Sequence, residues 1–180
     1  MIYLTNPIVA MDDNHIQLIN TLVLCNKPTS ILEIGVGSGL VTKTILEALQ
    51  YNQKPSILTC VDNFLDWNGQ TPQGFDSFKD SINFINSNER DFVMGCKETY
   101  DFIVSDADHH HTNEWVDETY NLLNEGGILI YHDVTNHDFR NLYDIVRYAE
   151  SRQINHVIFN KSSLPYERCE RGLMVMFKNK

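Results

Sequence analysis

Three glycines at alternate positions, Gly35, Gly37 and Gly39, follow the apolar run Ile31 to Ile34, and an acid, Glu33, stands two residues before the first of them. A side chain at any of the three would block a close-lying ligand or forbid a tight turn from strand to helix. Such a turn lays a small charged cofactor against bare backbone, with Ser38 between the last two glycines. A dinucleotide fingerprint would keep two residues between its second and third glycines. This chain has one.

Two further stretches end apolar runs in polar groups. Asp62 closes the run Ile57 to Val61 and is followed by Asn63. A carboxylate there can accept both ribose hydroxyls of a bound adenosine, a role that exists for NAD as well, so Asp62 alone does not choose between cofactors; the weaker alternative is a strand-end aspartate capping a turn. Ser87 and Asn88 are weaker candidates for an adenine edge, since an ordinary polar loop accounts for them as well. The run Asp101 to Ser105 ends in Asp106-Ala107-Asp108-His109, and Gly126-Gly127-Ile128-Leu129-Ile130-Tyr131 ends in His132-Asp133. Carboxylates and an imidazole gathered at strand ends can hold a divalent cation or move a proton.

Glu-Ile-Gly-Val-Gly-Ser-Gly resembles the first motif of class I S-adenosylmethionine-dependent methyltransferases, which implies that Glu33 serves the amino-acid end of the cofactor. Gly35, Gly37, Ser38, Gly39, Asp62, Asn63, Ser87, Asn88 and Asp106 are then the expected cofactor residues. Asp106-Ala107-Asp108-His109 is similar to the fourth strand end of catechol and caffeoyl-coenzyme-A O-methyltransferases, Asp-Ala-Asp-Lys. By that resemblance Asp106 is a metal ligand, and His109 replaces a lysine base. His132-Asp133 stands where that family has an Asp-Asn metal pair, so Asp106, His132 and Asp133 become the implied metal trio. The imidazole departs from an all-oxygen shell and admits manganese, iron or zinc beside magnesium. The Asp/His tail also resembles macrocin-type sugar O-methyltransferases. Together the likenesses run from about residue 30 to 150. They imply that His109 and Asp106 act in catalysis. With an ordinary pKa of about 6.5, His109 would be largely neutral at pH 7 and could accept a proton. In the competing reading Asp106 and Asp133 cap turns and His132 is a hydrogen-bonded pocket residue.

The elements that must position these groups alternate. Asp12, Asp13 and Asn14 offer caps for a helix carrying Ile16, Ile19 and Val23, which should stop near Lys27-Pro28. Helices are expected over about 40–49, 113–123 and 139–151, with a short one near Phe75, Phe78 and Lys79. Strands are expected at 31–34, 57–61, 82–85, 101–105, 128–131, 156–159 and 173–177. The last two should be joined by a long polar loop through Pro165. This pattern predicts an α/β fold: a Rossmann-like, doubly wound, seven-stranded sheet, mostly parallel, with an antiparallel C-terminal edge hairpin. In such sheets ligands sit at the carboxyl ends of the strands.

The 180 residues suit one domain, 1–180, and their 42% hydrophobic content supports a core covered on both faces. The chain has 24 acids against 14 bases and a formal net charge of −10, with no basic patch, so the expected partner is a small-molecule acceptor and not a nucleic acid. No apolar run is long enough for a membrane span, and Met1 to Pro7 lack signal-peptide character; a cytoplasmic protein is expected. Cys25, Cys60, Cys96 and Cys169 show no CxxC pairing and read as buried reduced thiols. Of His109-His110-His111, successive side chains diverge, so His110 and His111 are expected in solvent. A homo-oligomer is compatible with the sequence. The leading expectation is a small-molecule O-methyltransferase with divalent-metal assistance. Its rivals are a metal-independent N-, C- or carboxyl-methyltransferase, an NAD-dependent oxidoreductase and a non-catalytic cofactor-binding module.

Overall fold

The computed structural model describes residues 11–65, 70–159 and 171–180. Seven strands form one sheet: β1 (Ser30–Ile34), β2 (Ile57–Asp62), β3 (Ile82–Asn86), β4 (Tyr100–Ser105), β5 (Leu123–Tyr131), β6 (Asn155–Phe159) and β7 (Leu173–Phe177). Their order is β3-β2-β1-β4-β5-β7-β6. The first five are mutually parallel, while β7 runs antiparallel to both β5 and β6. The chain winds outward from β1 to β3, returns to β4 on the other side of β1, and winds outward again. The direction of winding therefore reverses between β1 and β4, the place where an open α/β sheet leaves a crevice.

Alternation along each strand divides the core. Ile31, Leu58, Cys60, Phe102, Val104, Ile128 and Ile130 pack under α1 (Asp13–Asn26) and α2 (Leu40–Leu49) through Ile19, Val23, Val41 and Ile45. Leu32, Ile34, Ile103, Leu129 and Met174 face the other way. They bury Val93 of α3 (Glu89–Gly95), Val116 of α4 (Val116–Asn121) and Ile145, Val146 and Ala149 of α5 (Tyr143–Ser151). Strands buried on both faces read as continuous apolar runs, as these do.

At the start of β4, the Asp101 carboxylate pins three strands. Its Oδ2 accepts from the Thr29 and Ser30 amides at 2.9 and 3.2 Å, and its Oδ1 accepts from Asn124 Nδ2 at 2.9 Å. Fixing the register at this end aligns the opposite, carboxyl ends, where the polar residues lie.

Several boundaries differ from the sequence reading. Helix α3 was not expected; Asn88 begins it, its Oδ1 accepting from the Arg90 amide at 2.9 Å. The 113–123 helix is a 3-10 turn over Thr112–Trp115 followed by α4, and β5 begins five residues earlier than its apolar core, with a register shift opposite Tyr100 and Phe102. The 139–151 helix likewise opens as a 3-10 turn over Arg140–Leu142. Asp12 occupies the cap position of α1 without making a side-chain cap bond. Of the cysteines, Cys60 is buried, Cys96 half-buried and Cys25 exposed, which corrects the expectation of buried thiols. Met1 to Pro7, Cys169 and the Pro165 loop lie outside the described residues. No helix among the described residues is long and apolar enough to cross a membrane.

Candidate active site

The glycine turn joins β1 to α2 and lies against the end of β4. Gly35 has φ +86°, and a Cβ on it would fall 2.3 Å from the Asp106 carbonyl oxygen and 2.9 Å from Ala107 Cα. Only glycine allows that approach, which brings the two halves of the sheet into contact. Gly37, at φ +48°, is different: a Cβ there meets nothing within 4 Å. The backbone at Gly37 thus borders open space that a ligand can fill, and this observation fits the residues to a cofactor.

Asp62 faces the turn from the end of β2. Its Oδ2 accepts from the Val36 amide at 2.7 Å and the Gly37 amide at 3.3 Å, and its Oδ1 accepts from the Phe64 amide at 2.7 Å. Three amides hold the carboxylate in place, half-buried beside the crevice. Asn63 and Asn88 are exposed, and Ser87 is half-buried, its amide donating to the Asp62 carbonyl at 3.0 Å and so tying the β3 end to the β2 end. Ser38 is half-buried in the turn itself.

Glu33 lies beneath the glycine turn, fully buried. Its Oε2 accepts from Thr42 Oγ1 at 2.7 Å and Cys60 Sγ at 3.2 Å, and its Oε1 has no protein partner. Burial pushes its pKa up to about 8 against the opposing pull of the Thr42 and Cys60 hydrogen bonds.

The β4 and β5 ends bring Asp106, His109, His132 and Asp133 together. His109 Nε2 lies 2.9 Å from Asp133 Oδ2 and 3.3 Å from Asp106 Oδ1. His132 Nδ1 lies 3.3 Å from the same Asp106 oxygen and 3.4 Å from the same Asp133 oxygen. The sequence-predicted trio therefore converges, with His109 as a fourth member. Asp133 sits at φ +60°, a left-handed conformation that aspartate tolerates better than most residues; Asn136 Nδ2 donates to its Oδ1 at 3.0 Å, and Arg171 Nε approaches within 4.0 Å.

Electrostatics in this cluster are strongly mutual. Burial alone would raise the carboxylates and lower the imidazoles. For Asp106 the opposing pull comes from His132 and His109, and both Asp106 and Asp133 fall well below the usual carboxylate range. Against the same burial, the two carboxylates push His109 and His132 each up to about 10. The two carboxylates thus favour a proton on His109, where the sequence suggested a neutral ring. Two carboxylates a few ångströms apart demand positive charge between them, and protons on the two imidazoles supply it here. A divalent cation has the same electrostatic qualification, and the O,O,N,N donor set fits one.

Residues that sequence reasoning missed hold this cluster in place. Glu89 is buried in the first turn of α3 and accepts from Ser105 Oγ at 3.2 Å, the Asp108 amide at 3.1 Å and Thr112 Oγ1 at 2.8 Å, bracing the loop that carries Asp106 and His109. Asn141 Nδ2 donates to the His109 and His110 carbonyls at 3.1 and 2.9 Å, and the His109 ring rests on Phe139 with centroids 4.6 Å apart. An unassigned acid directly after a capping asparagine was the one available signal for Glu89. His110 and His111 are exposed, with His111 Nδ1 3.0 Å from Asp108 Oδ2. Phe75 packs against the Gly39 side of the turn and Trp115 is buried in the core.

Comparison with known proteins places this arrangement. The family model for the methyltransferase domain matches residues 32–134, which include the glycine turn, Asp62 and both Asp/His strand ends. No curated protein sequence matches. Among solved structures, a proposed O-methyltransferase from Klebsiella pneumoniae superposes with a TM-score of 0.77 at 14% identity, covering 97% of this chain and 84% of its own. The O-methyltransferase of Bacillus cereus in complex with SAH gives 0.76 at 14% identity, covering 96% and 84%. TomG of Streptomyces achromogenes, an O-methyltransferase involved in tomaymycin synthesis and solved with SAM, gives 0.74 at 13%, covering 97% and 83%. At these identities the likeness is one of fold.

Proposed function

The chain belongs to the methyltransferase-domain family, as a class I S-adenosylmethionine-dependent enzyme, and from that premise we propose that it methylates a hydroxyl of a small molecule with the help of a divalent cation. The observation that carries this reading is the convergence of Asp106, His109, His132 and Asp133 directly beside the glycine turn. S-adenosylmethionine supplies a methyl group on a sulfonium, open to in-line attack by an oxygen. What remains for the protein is to align the partners, keep water out and manage a proton.

Each group has a place in that division. The backbone at Gly35, Gly37, Ser38 and Gly39 borders the cofactor crevice, with Asp62 set for the ribose hydroxyls and Ser87, Asn88 and Asn63 at its rim. Glu33, buried beneath the turn and bonded to Thr42 and Cys60, is assigned to the amino-acid end through its remaining oxygen, Oε1. Asp106, His132 and Asp133 would hold the cation, which supplies positive charge that lowers the pKa of an acceptor hydroxyl. His109, on the open side of the cluster, is placed to take the hydroxyl proton. It can do so only when the two carboxylates are neutralised by something other than its own proton, which ties the base role to the cation. The acidic surface supports a small-molecule acceptor over a nucleic acid, and the unbroken sheet supports a single domain.

A second reading, a metal-independent methyltransferase acting on nitrogen, carbon or a carboxylate, draws on the same contacts: His109 and His132 already neutralise the carboxylate pair. Methyl transfer from S-adenosylmethionine to a panel of hydroxylated acceptors, with and without chelator, separates the two. Turnover lost on chelation and restored by manganese or magnesium supports the first; an undiminished rate in chelator supports the second.

A further inference from the structure

We propose a second metal site, formed by Asp12, His15 and His132 beneath the first and suited to a transition-metal ion of the zinc class. It goes beyond the proposed function, since neither cofactor binding nor the first cation calls on Asp12 or His15. All three residues are buried, at 0%, 1% and 3% exposure, and one donor atom from each lies within 4.8 Å of the other two.

The imidazoles point to a ligand. Neither ring nitrogen of His15 has a hydrogen-bond partner, and neither does Nε2 of His132. Whatever its protonation, each imidazole nitrogen is either a donor or an acceptor, and leaving a buried polar group unmatched costs about 1–3 kcal/mol. Buried polar groups are overwhelmingly paired, so three unmatched nitrogens in adjacent rings call for an explanation. Edge-to-face packing of the two rings explains their contact and leaves the nitrogens unmatched.

The spacing answers with a common centre. An ion held about 2.1 Å from an imidazole nitrogen lies about 3.2 Å from that ring's centre, so two such rings at a tetrahedral angle have centres about 5.2 Å apart, and neighbouring donors about 3.4 Å apart. The His15 and His132 centroids are 5.3 Å apart with planes at 78°, and His15 Nδ1 lies 3.5 Å from Asp12 Oδ2 without a hydrogen bond between them. Two imidazoles and one carboxylate favour zinc, cobalt or iron over magnesium or calcium, and leave a fourth position open. His132 would use Nε2 here while its Nδ1–H donates to Asp106 and Asp133; with an ion at both sites the ring would bridge them as an imidazolate, both ring protons released to solvent, and either way its orientation is fixed from both sides.

The test uses the full chain, stripped with chelator, carrying Asp106→Asn and Asp133→Asn to remove the first site; asparagine tolerates the left-handed backbone at 133. Cobalt(II) is titrated in and its visible absorption is read for tetrahedral coordination, with zinc as competitor. One equivalent should bind and be displaced by zinc. Adding His15→Phe, which fills the volume without a ligand, or Asp12→Asn should each weaken binding by at least about a hundredfold, with circular dichroism of the metal-free proteins unchanged. Absence of cobalt binding in the doubly substituted background overturns the proposal. So does binding undiminished by His15→Phe, or binding abolished by His111→Ala, which would put the ion on the exposed histidines.

Discussion

The β1/β2 end and the β4/β5 end of the sheet border one crevice but are built on different principles. Around the glycine turn, position comes from backbone: left-handed glycines, a carbonyl pressed against Gly35, and amides that hold Asp62. Around Asp106 and Asp133, position comes from charge, with two depressed carboxylates held by two elevated imidazoles. A backbone device is rigid and does not itself titrate, though the buried Glu33 beneath this one does. A charge device exchanges protons or cations and responds to both.

Breaking the backbone device should have the largest effect. Gly35→Ala drives a Cβ into the Asp106 carbonyl and imposes φ +86° on a residue with a side chain; strain of about 1–2 kcal/mol adds to overpacking of about 1–3 kcal/mol. A fall in melting temperature together with loss of S-adenosylmethionine binding is expected in thermal and calorimetric titrations. Gly37→Val, bordering open space, should cost the fold only the strain term while weakening cofactor binding by at least about a hundredfold, or about 2.7 kcal/mol. A melting point as low as that of Gly35→Ala would contradict this division between the two glycines.

The charge device should respond to pH in a defined direction. His109 and His132 are raised to about 10, so their contribution is fully present below the unfolded value of about 6.5 and is lost as pH rises toward 10. Asp106 and Asp133 are depressed, so theirs is present above about 3.9 and is lost as pH falls through the lowered values. Glu33, raised to about 8, adds a further loss as pH rises from its unfolded 4.5 through 8. The metal-free protein should therefore lose melting temperature steadily between pH 7 and 10. Glu33→Gln should remove part of the loss below pH 8, and His109→Gln part of that above. A flat profile over this range would contradict the charges assigned here.

Glu89→Gln should give a smaller effect. It weakens three hydrogen bonds to the loop at 105–112 and removes a buried charge whose pKa burial has raised, so a net change within about 1–2 kcal/mol is expected, with cofactor affinity unchanged. Smallest of all is His111→Ala, an exposed partner of Asp108, expected within about 0.5 kcal/mol of the parent in stability.

What the sequence disclosed follows the same division. Continuous apolar runs and alternating glycines are local, so α2 was bounded correctly at both ends, and β1, β2 and β7 fell within a residue of their places. The strand-end acids Asp62, Asp106 and Asp133 were legible because each closes an apolar run. The protonation of His109 was not, because it depends on Asp133, 24 residues away in the chain and 2.9 Å away in space. Asp12 and His15 look like the first turn of an ordinary amphipathic helix until the fold sets them against His132. Helix α3 was missed because its seven residues carry little apolar periodicity, with only Glu89 and Val93 buried.

The most direct test of the two-device account is a paired calorimetric titration of chelator-treated protein, wild type against Asp106→Asn/Asp133→Asn, first with S-adenosylmethionine and then with manganese. The account predicts cofactor affinity within about threefold between the two proteins, under 1 kcal/mol, and manganese binding weakened by at least about a hundredfold in the variant. Manganese bound equally well by both, or cofactor binding lost along with the carboxylates, would contradict it.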